Sequence, residues 1–206
     1  HKNIINQSGI NFSGHTEFIA NLCKAKPVMT FISENIKMSL ATTHIPLKDV
    51  PYAIDRELLI ETIEIIEKDL NIFFGLENPK IGILGLNPHA GEEGLLGKEE
   101  LLIIEPAIDY LRKKKKNVIG PLSADTAFLQ KLDLDIILAL YHDQGLPLFK
   151  FVNPHQAANV TLGLPIIRTS VDHGVALDLT ASKKVNIESL NYALNIAQNM
   201  SKQYAK

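Results

Sequence analysis

Apolar and polar positions along the chain follow two different periods. Residues 56–73 carry apolar side chains three and four positions apart, with acidic residues between them, which is typical of an amphipathic helix. Residues 16–25, 98–115 and 187–204 have the same helical spacing. Since proline removes a backbone donor, we expect Pro106 to kink or break the helix in which it lies.

Apolar runs alternate with these helical patterns, and each run ends in a polar loop that contains glycine. They occupy residues 80–94, 134–145 and 160–174. Strands that alternate with helices predict an α/β architecture. In open α/β sheets, ligands bind beyond the carboxyl ends of the strands, so the polar residues at those ends are the first candidates for a site.

Histidines close several of the apolar segments. Of the seven in the chain, His44, His89 and His142 are each flanked by proline, glycine or aspartate. Three converging imidazoles bind a metal ion and leave one position open for substrate. Alternatively, each histidine satisfies a hydrogen bond of its own loop, and because no CxxC or HExxH spacing is present, both interpretations stay open.

Two aspartates accompany the histidines. Asp143 follows His142 directly and could support it or help to bind a metal. Asp125 lies in a loop with proline and glycine nearby, where capping a helix or closing a turn is as good an explanation as a catalytic role.

Two cations form a further group. Lys150 ends the segment "GLPLFK", Arg168 lies in the apolar run "LPIIRTS", and Asn159 lies between them. A charge within an apolar run is costly unless it is paired. Phosphate would be a suitable partner for both cations, and the alternative is a salt bridge within the protein.

Composition narrows the classes of partner. A net charge of -2, with 46% apolar and 21% charged residues, is typical of a globular protein and predicts no nucleic-acid partner. The basic run 112–116 is explained by the C-terminus of a helix. Cys23 is the only cysteine, so an internal disulfide is excluded and a reducing compartment is favoured. No apolar stretch is long enough to cross a bilayer, and neither GxGxxG nor GxxxxGK[ST] occurs.

Six motifs in one order resemble the 4-hydroxythreonine-4-phosphate dehydrogenase family of pyridoxal phosphate biosynthesis. They are "GHTEF", "LATTHIPL", "GLNPHAGEEG", "GPLSADT", "YHDQGLP" and "LGLPIIRTSVDHGVALDL". The family is similar in fold to the isocitrate and isopropylmalate dehydrogenases, which implies two α/β domains with a cleft between them. Residues 1–140 would form the central domain with the metal and substrate residues, and residues 141–206 would return to the cofactor-side domain.

The resemblance also implies roles for individual residues. His44, His89 and His142 match the ligands of a divalent metal (zinc, magnesium or cobalt), with His142 supplied by the partner subunit of a homodimer. The positions that match substrate and phosphate binding are His15, Thr16, Lys150, Asn159 and Arg168. The positions that match the loop for NAD or NADP are His173, Gly174 and Asp178.

The implied activity is an NAD(P)-dependent oxidation of 4-phosphooxy-L-threonine, followed by decarboxylation to 3-amino-2-oxopropyl phosphate, in the cytoplasm. The alternatives are a related metal-dependent dehydrogenase of another phosphorylated hydroxy acid, and a metal- or phosphate-binding fragment without catalysis. The general base is open, and a water near Asp125 or Asp143 is one candidate. Because the chain starts at His1 and the family has a long N-terminal stretch, we expect an N-terminal portion to be missing.

Overall fold

The computed structural model describes residues 2–9, 12, 14–130, 132–154, 156–172 and 186–206. The strands within these ranges are β1 (Val28–Ser33), β2 (Lys37–Leu40), β3 (Ile81–Leu84), β4 (Val118–Leu122), β5 (Ile136–Ala139), β6 (Ala157–Leu162) and β7 (Thr169–Val171). They form one seven-stranded sheet in the order β4-β3-β5-β2-β1-β6-β7. The predicted mixed α/β architecture is therefore confirmed.

Helices lie before the first strand, in several of the connections between strands, and after the last described strand. They are α1 (Lys2–Gln7), α2 (His15–Cys23), α3 (Val50–Ala53), α4 (Arg56–Phe74), α5 (Glu105–Lys113), α6 (His142–Val152) and α7 (Glu188–Tyr204). Short 3-10 segments cover Leu47–Asp49 and Pro88–Gly94, and a π-helical turn covers Glu100–Ile104. None of the helices in the described ranges combines the length and the hydropathy needed to cross a membrane.

Strand direction divides the sheet into two halves. β4, β3, β5 and β2 are parallel to one another. β1 is antiparallel to both β2 and β6, and β7 is antiparallel to β6. The carboxyl ends of β2, β3, β4, β5 and β6 therefore meet at one edge of the sheet, where ligand-binding loops of α/β proteins collect.

The predicted amphipathic helix 56–73 is confirmed as α4. Its first turn is capped by Asp55, whose carboxylate accepts a hydrogen bond from the backbone N–H of Leu58 at 2.7 Å. Its apolar stripe faces the sheet and is fully buried at Leu59, Ile63, Ile66 and Leu70. The spacing of apolar residues in this segment thus predicts which face of α4 packs on the sheet.

Two layers of helices cover the sheet. α4, α5 and α7 pack together on one face, over a core that includes Val28, Ile81, Ile136 and Val160. α6 covers part of the other face through Phe149 and Leu146. Met29 and Phe31 on this second face also line a cavity beside α6.

Three sequence-based boundaries differ in the structure. The run 134–145 is a strand only to Ala139, because α6 begins at His142. The run 160–174 is a hairpin of β6 and β7 rather than one strand. Its turn contains Gly163 at φ +82°, where a Cβ atom would lie 2.1 Å from the carbonyl oxygen of Lys26.

The third difference lies in the helix predicted over 98–115. A π-helical turn ends at Ile104, and α5 begins at Glu105 with Pro106 in its first turn. Proline is tolerated in the first turn of a helix, because its missing N–H would have no partner inside the helix there. The helix therefore changes type just before Pro106 and does not break there, since Ile104 and Glu105 both keep helical backbone angles.

Candidate functional site

A cavity of about 260 Å³ opens at the carboxyl edge of the sheet, on the face that α6 partly covers. Seven of the residues predicted from the sequence line it: His15, Thr16, His44, His142, Lys150, Asn159 and Arg168. They come from α2, α6, β6 and the loops next to β2 and β7. The fold therefore brings the predicted phosphate ligands and two of the predicted metal ligands to one place.

Arg168 is held rigidly at this cavity. Its Nη1 donates hydrogen bonds to the hydroxyl of Thr161 at 2.6 Å and to the hydroxyl of Thr16 at 3.1 Å. Burial lowers the pKa of the guanidinium, and the nearby carboxylate of Glu17 opposes that shift. Both hydroxyl partners are neutral, so the half-buried cation keeps an affinity for an anion in the cavity.

Lys150 has a partner within the protein. Its Nζ donates to the backbone carbonyl of Asp172 and lies 4.0 Å from the carboxylate of the same residue. The salt bridge within the protein, which was the alternative to a phosphate partner, is thus present for Lys150. Its length lies at the upper limit for an ion pair. For Arg168, by contrast, the hydrogen-bond partners among the described residues are the hydroxyl groups of Thr16 and Thr161.

Asn159 carries a polar atom that the described residues leave unsatisfied. Its Oδ1 is buried and accepts no hydrogen bond from them. A buried acceptor without a donor costs about 1–3 kcal/mol, so such atoms in a cavity are typical of a ligand contact. The position of Asn159 on β6, in register with Phe31 of β1, places it on the floor of the cavity.

His44 and His142 stand side by side. Their ring centroids lie 5.9 Å apart at an interplanar angle of 45°. Nδ1 of His142 contacts Oδ1 of Asp143 at 2.6 Å, which leaves Nε2 for another partner. This spacing suits two imidazoles that share one ion, with each nitrogen about 2.1 Å from the metal.

His89 lies apart from this pair. It lines a neighbouring cavity of about 380 Å³ together with Asp125, Asp143 and Gln144. Its Nδ1 is 3.8 Å from the carboxylate of Asp125. The pKa of Asp125 is lowered, first by the hydrogen bond from the hydroxyl of Ser123 and then by the charge of His89.

The described part of the chain therefore offers two imidazoles for one ion and places the third elsewhere. No group of three histidine, cysteine or acidic side chains in it is arranged to bind a metal. The donor types fit a divalent metal, and the described residues bring two of the three predicted ligands together.

The backbone that carries His89 is unusual. His89, Ala90, Gly91, Glu92 and Glu93 all have positive φ, between 44° and 78°. For L-residues this left-handed conformation costs about 1–2 kcal/mol each. Backbone strain of this kind concentrates at functional sites, where the surroundings hold it in place.

Sequence reasoning missed two carboxylates of the first cavity. Glu17 lies 3.6 Å from Nδ1 of His44, and Asp172 lies beside Lys150. Glu17 could have been found, since it is in the same helical turn as His15 and Thr16. The predicted cofactor residues His173, Gly174 and Asp178 lie outside the described residues.

A mixed sheet covered by helices carries cations, histidines and an unsatisfied amide around one cavity at its carboxyl edge, and this arrangement is suited to a small anionic ligand. Residues 1–197 match the family model described as pyridoxal phosphate biosynthetic protein PdxA. The chain belongs to this family.

Curated relatives and solved structures agree with the family. The chain is 52% identical to 4-hydroxythreonine-4-phosphate dehydrogenase of Saccharophagus degradans over 99% of its length, and 50% identical to that of Pseudomonas aeruginosa over 98%. It spans 62% of the length of either relative.

Two solved structures bear on the fold. The crystal structure of 4-hydroxythreonine-4-phosphate dehydrogenase from Klebsiella pneumoniae matches with a TM-score of 0.86 and 34% identity, over 98% of this chain and 62% of that one. A terephthalate 1,2-cis-dihydrodiol dehydrogenase from Burkholderia xenovorans matches with a TM-score of 0.76 and 27% identity, over 96% of this chain and 63% of that one.

Proposed function

We propose that this chain carries the substrate-binding and metal-binding part of an NAD(P)-dependent dehydrogenase. The substrate would be 4-phosphooxy-L-threonine and the product, after decarboxylation, 3-amino-2-oxopropyl phosphate. One observation carries the proposal: all five predicted substrate ligands line a single cavity, and two predicted metal ligands line it with them. The names of the close relatives support the same reaction.

Phosphate binding is assigned to one end of the cavity. Arg168, fixed by Thr16 and Thr161, would present its guanidinium fork to two phosphate oxygens. Lys150 would add a second positive charge and exchange its distant ion pair with Asp172 for the phosphate. Anchoring this remote group would hold the reacting carbon in place during the chemical step.

The metal is assigned to His44 and His142, with His89 as the third ligand. A divalent zinc, magnesium or cobalt ion would supply Lewis acidity for both the oxidation and the decarboxylation. Because His89 lies apart from the other two, a homodimer would complete the set with a residue from a second subunit. The family resemblance assigns the crossing to His142, whereas the 5.9 Å spacing of the His44 and His142 rings within one chain favours His89 as the residue that crosses.

The remaining steps of the proposed reaction are hydride removal, proton removal and decarboxylation. His173, Gly174 and Asp178 would hold NAD or NADP at the cofactor loop, and the bound nucleotide would supply the hydride acceptor. A water held by Asp125 or by Asp143 would take the hydroxyl proton. The resulting β-keto acid would then lose carbon dioxide, and the carbon that carried the carboxylate would be protonated.

The finer architecture and setting are part of the proposal. The isocitrate dehydrogenase-like arrangement, with residues 1–140 central and 141–206 returning to a cofactor-side domain, would be completed by the part of the relatives' length that this chain does not span. The protein would act in the cytoplasm, on a small phosphorylated substrate and without a nucleic-acid or membrane partner.

A second candidate is a dehydrogenase of an unphosphorylated diol. The fold match to the dihydrodiol dehydrogenase of Burkholderia xenovorans favours it. Terephthalate is a dicarboxylate, so Arg168 would pair with either substrate. The relatives at 52% and 50% identity favour the phosphorylated substrate over a structure at 27% identity.

The decisive experiment measures NAD(P)H formation and carbon dioxide release by the full-length protein. 4-Phosphooxy-L-threonine should support both with zinc, magnesium or cobalt present, and a chelator should abolish both. Turnover of a cis-dihydrodiol without turnover of the phosphorylated substrate would replace the proposal with the second candidate. Metal and phosphate binding without any turnover would leave a binding module.

A further inference from the structure

Gln144 joins the two segments that carry His142 and His89. Its Oε1 accepts a hydrogen bond from the backbone N–H of Leu140 at 2.7 Å. Its Nε2 donates to the backbone carbonyl of Gly85 at 2.6 Å. The side-chain amide thus bridges the carboxyl end of β5 and the carboxyl end of β3, and both of its ends are used.

Glu100 holds the same segment from the other side. It is only 1% exposed, and its Oε1 accepts hydrogen bonds from the backbone N–H groups of Leu86 and Asn87, both at 2.8 Å. Its Oε2 accepts from Nδ2 of Asn87 at 2.9 Å. A carboxylate, which only accepts, matches these three donors.

The strained backbone begins directly beyond these contacts. The left-handed segment His89–Glu93 packs against Glu100, since a Cβ atom at Gly91 would lie 2.5 Å from its Oε2. A left-handed run is unfavourable for L-residues and persists only where neighbouring contacts impose it. Within the described residues, Glu100 supplies such contacts to the residues just before the run.

We propose that Gln144 and Glu100 are positioning residues, which together fix the segment that carries His89 relative to the carboxyl ends of β3 and β5. Gln144 lies in the first turn of α6 with His142, so a shift of the Gly85–Asn87 segment moves the segment of His89 relative to the start of α6. A metal site shared between two subunits would draw one of these two elements from each chain, so the same shift would displace its ligands. The functional part of this inference rests on the proposed metal role of the histidines. The positional part rests on the hydrogen bonds alone.

The test uses two isosteric variants in the full-length protein, Gln144→Glu and Glu100→Gln. The first removes the donor to Gly85, and the second puts an amide N–H₂ among N–H donors. Exposed residues give matched controls with the same chemical changes, Gln130→Glu and Glu64→Gln. Co²⁺ titration followed by d–d absorption measures metal affinity and ligand geometry, and amide hydrogen exchange measures the local hydrogen bonds.

We expect both variants to bind Co²⁺ at least tenfold more weakly than the controls, with an altered absorption spectrum. We also expect exchange at the amides of Leu86 and Asn87 to accelerate at least tenfold in Glu100→Gln. A merely structural role would lower the unfolding midpoint and leave the Co²⁺ spectrum of the folded fraction unchanged. That outcome would overturn the inference.

The two proposals fail in different ways. If the wild-type protein binds no Co²⁺, the metal role fails, and exchange at Leu86 and Asn87 then decides the positional part. Unchanged exchange would overturn it, and acceleration confined to residues 85–93 would support it. If Glu100→Gln does not fold, Gln144→Glu carries the test through the Co²⁺ spectrum and through exchange at Leu140.

Discussion

Arg168 donates a hydrogen bond to the hydroxyl of Thr16, 3.1 Å away and 152 residues earlier in the chain. The contact ties the first turn of α2 to the segment that leads into β7. It also aims a cation into the cavity between them, because the same guanidinium nitrogen is held by Thr161.

Removal of Arg168 or Lys150 should weaken binding of the phosphorylated substrate selectively. Arg168→Ala and Lys150→Ala should each raise KM for 4-phosphooxy-L-threonine by about 10- to 100-fold, the loss expected for a charged hydrogen bond worth about 1.5–3 kcal/mol. The dephosphorylated substrate should lose much less, and the surface variant Lys202→Ala should change neither. Equal losses on both substrates would make the two cations structural.

Subunit exchange should show which histidine crosses a dimer interface. If His89 crosses, a mixture of His44→Ala and His89→Ala homodimers should recover activity, because one site of each heterodimer keeps all three ligands. If His142 crosses, the mixture of His44→Ala with His142→Ala should recover instead. Activity and exchange, the latter followed by mass labelling, are measured on both mixtures; no recovery in either would place the whole site in one chain.

A glycine substitution should relieve backbone strain in the left-handed segment His89–Glu93. Glu93 is exposed and has φ 56°. Its substitution by glycine should raise the unfolding free energy of the protein by about 1 kcal/mol, since the steric cost of the left-handed conformation disappears. The control Glu64→Gly, at an exposed helical position of α4, should lose about 1 kcal/mol. Chemical denaturation measures both; a loss at Glu93→Gly would show that the segment is unstrained.

Asp69 should make stability depend on pH in an uncommon direction. Burial raises the pKa of its carboxyl group above the usual 3.8, although the N–H of Gly163 donates to it at 2.6 Å. The folded state therefore holds this proton more tightly than the unfolded state. The stability that the protonated group contributes is present below its unfolded pKa and is lost as the pH rises through the folded value.

Asp69→Asn should remove that loss while it keeps an acceptor for Gly163. Relative to the wild type, its unfolding free energy should rise as the pH increases from below 3.8 through the raised pKa and should then stay level. The exposed substitution Asp109→Asn should show no such rise. Denaturation at a series of pH values checks this, and parallel curves for wild type and Asp69→Asn would contradict the raised pKa.

Sequence reasoning reached the architecture where periodicity is strong. The spacing of Leu59, Ile63, Ile66 and Leu70 predicts α4 because burial of one face is decided locally. It failed at α6, since the polar segment from Tyr141 to Gly145 interrupts the apolar pattern and Pro147 disfavours a helix interior. Packing of Phe149 and Leu146 against the sheet decides that helix, and no local pattern shows it.

The site was predictable in part for similar reasons. Side chains that follow parallel strands, such as those of His44 after β2 and His142 after β5, could be grouped because parallel strands end at a common edge. Glu100 could not, because a glutamate in a helical pattern is usually exposed, and only the turn at Asn87 gives it buried partners. The neighbour relation between His44 and His142 likewise depends on the sheet order, in which β2 and β5 are adjacent.

One of the two edge strands of the described sheet, β4, carries Pro121 and pairs with β3 through a register shift between Gly82 and Leu84. Proline has no N–H to offer an incoming strand, and a bulged pairing twists the edge away from a flat template. Concentrated solutions should therefore resist fibril growth from this side. We expect substitution of Pro121 by a β-branched residue to promote aggregation through this edge.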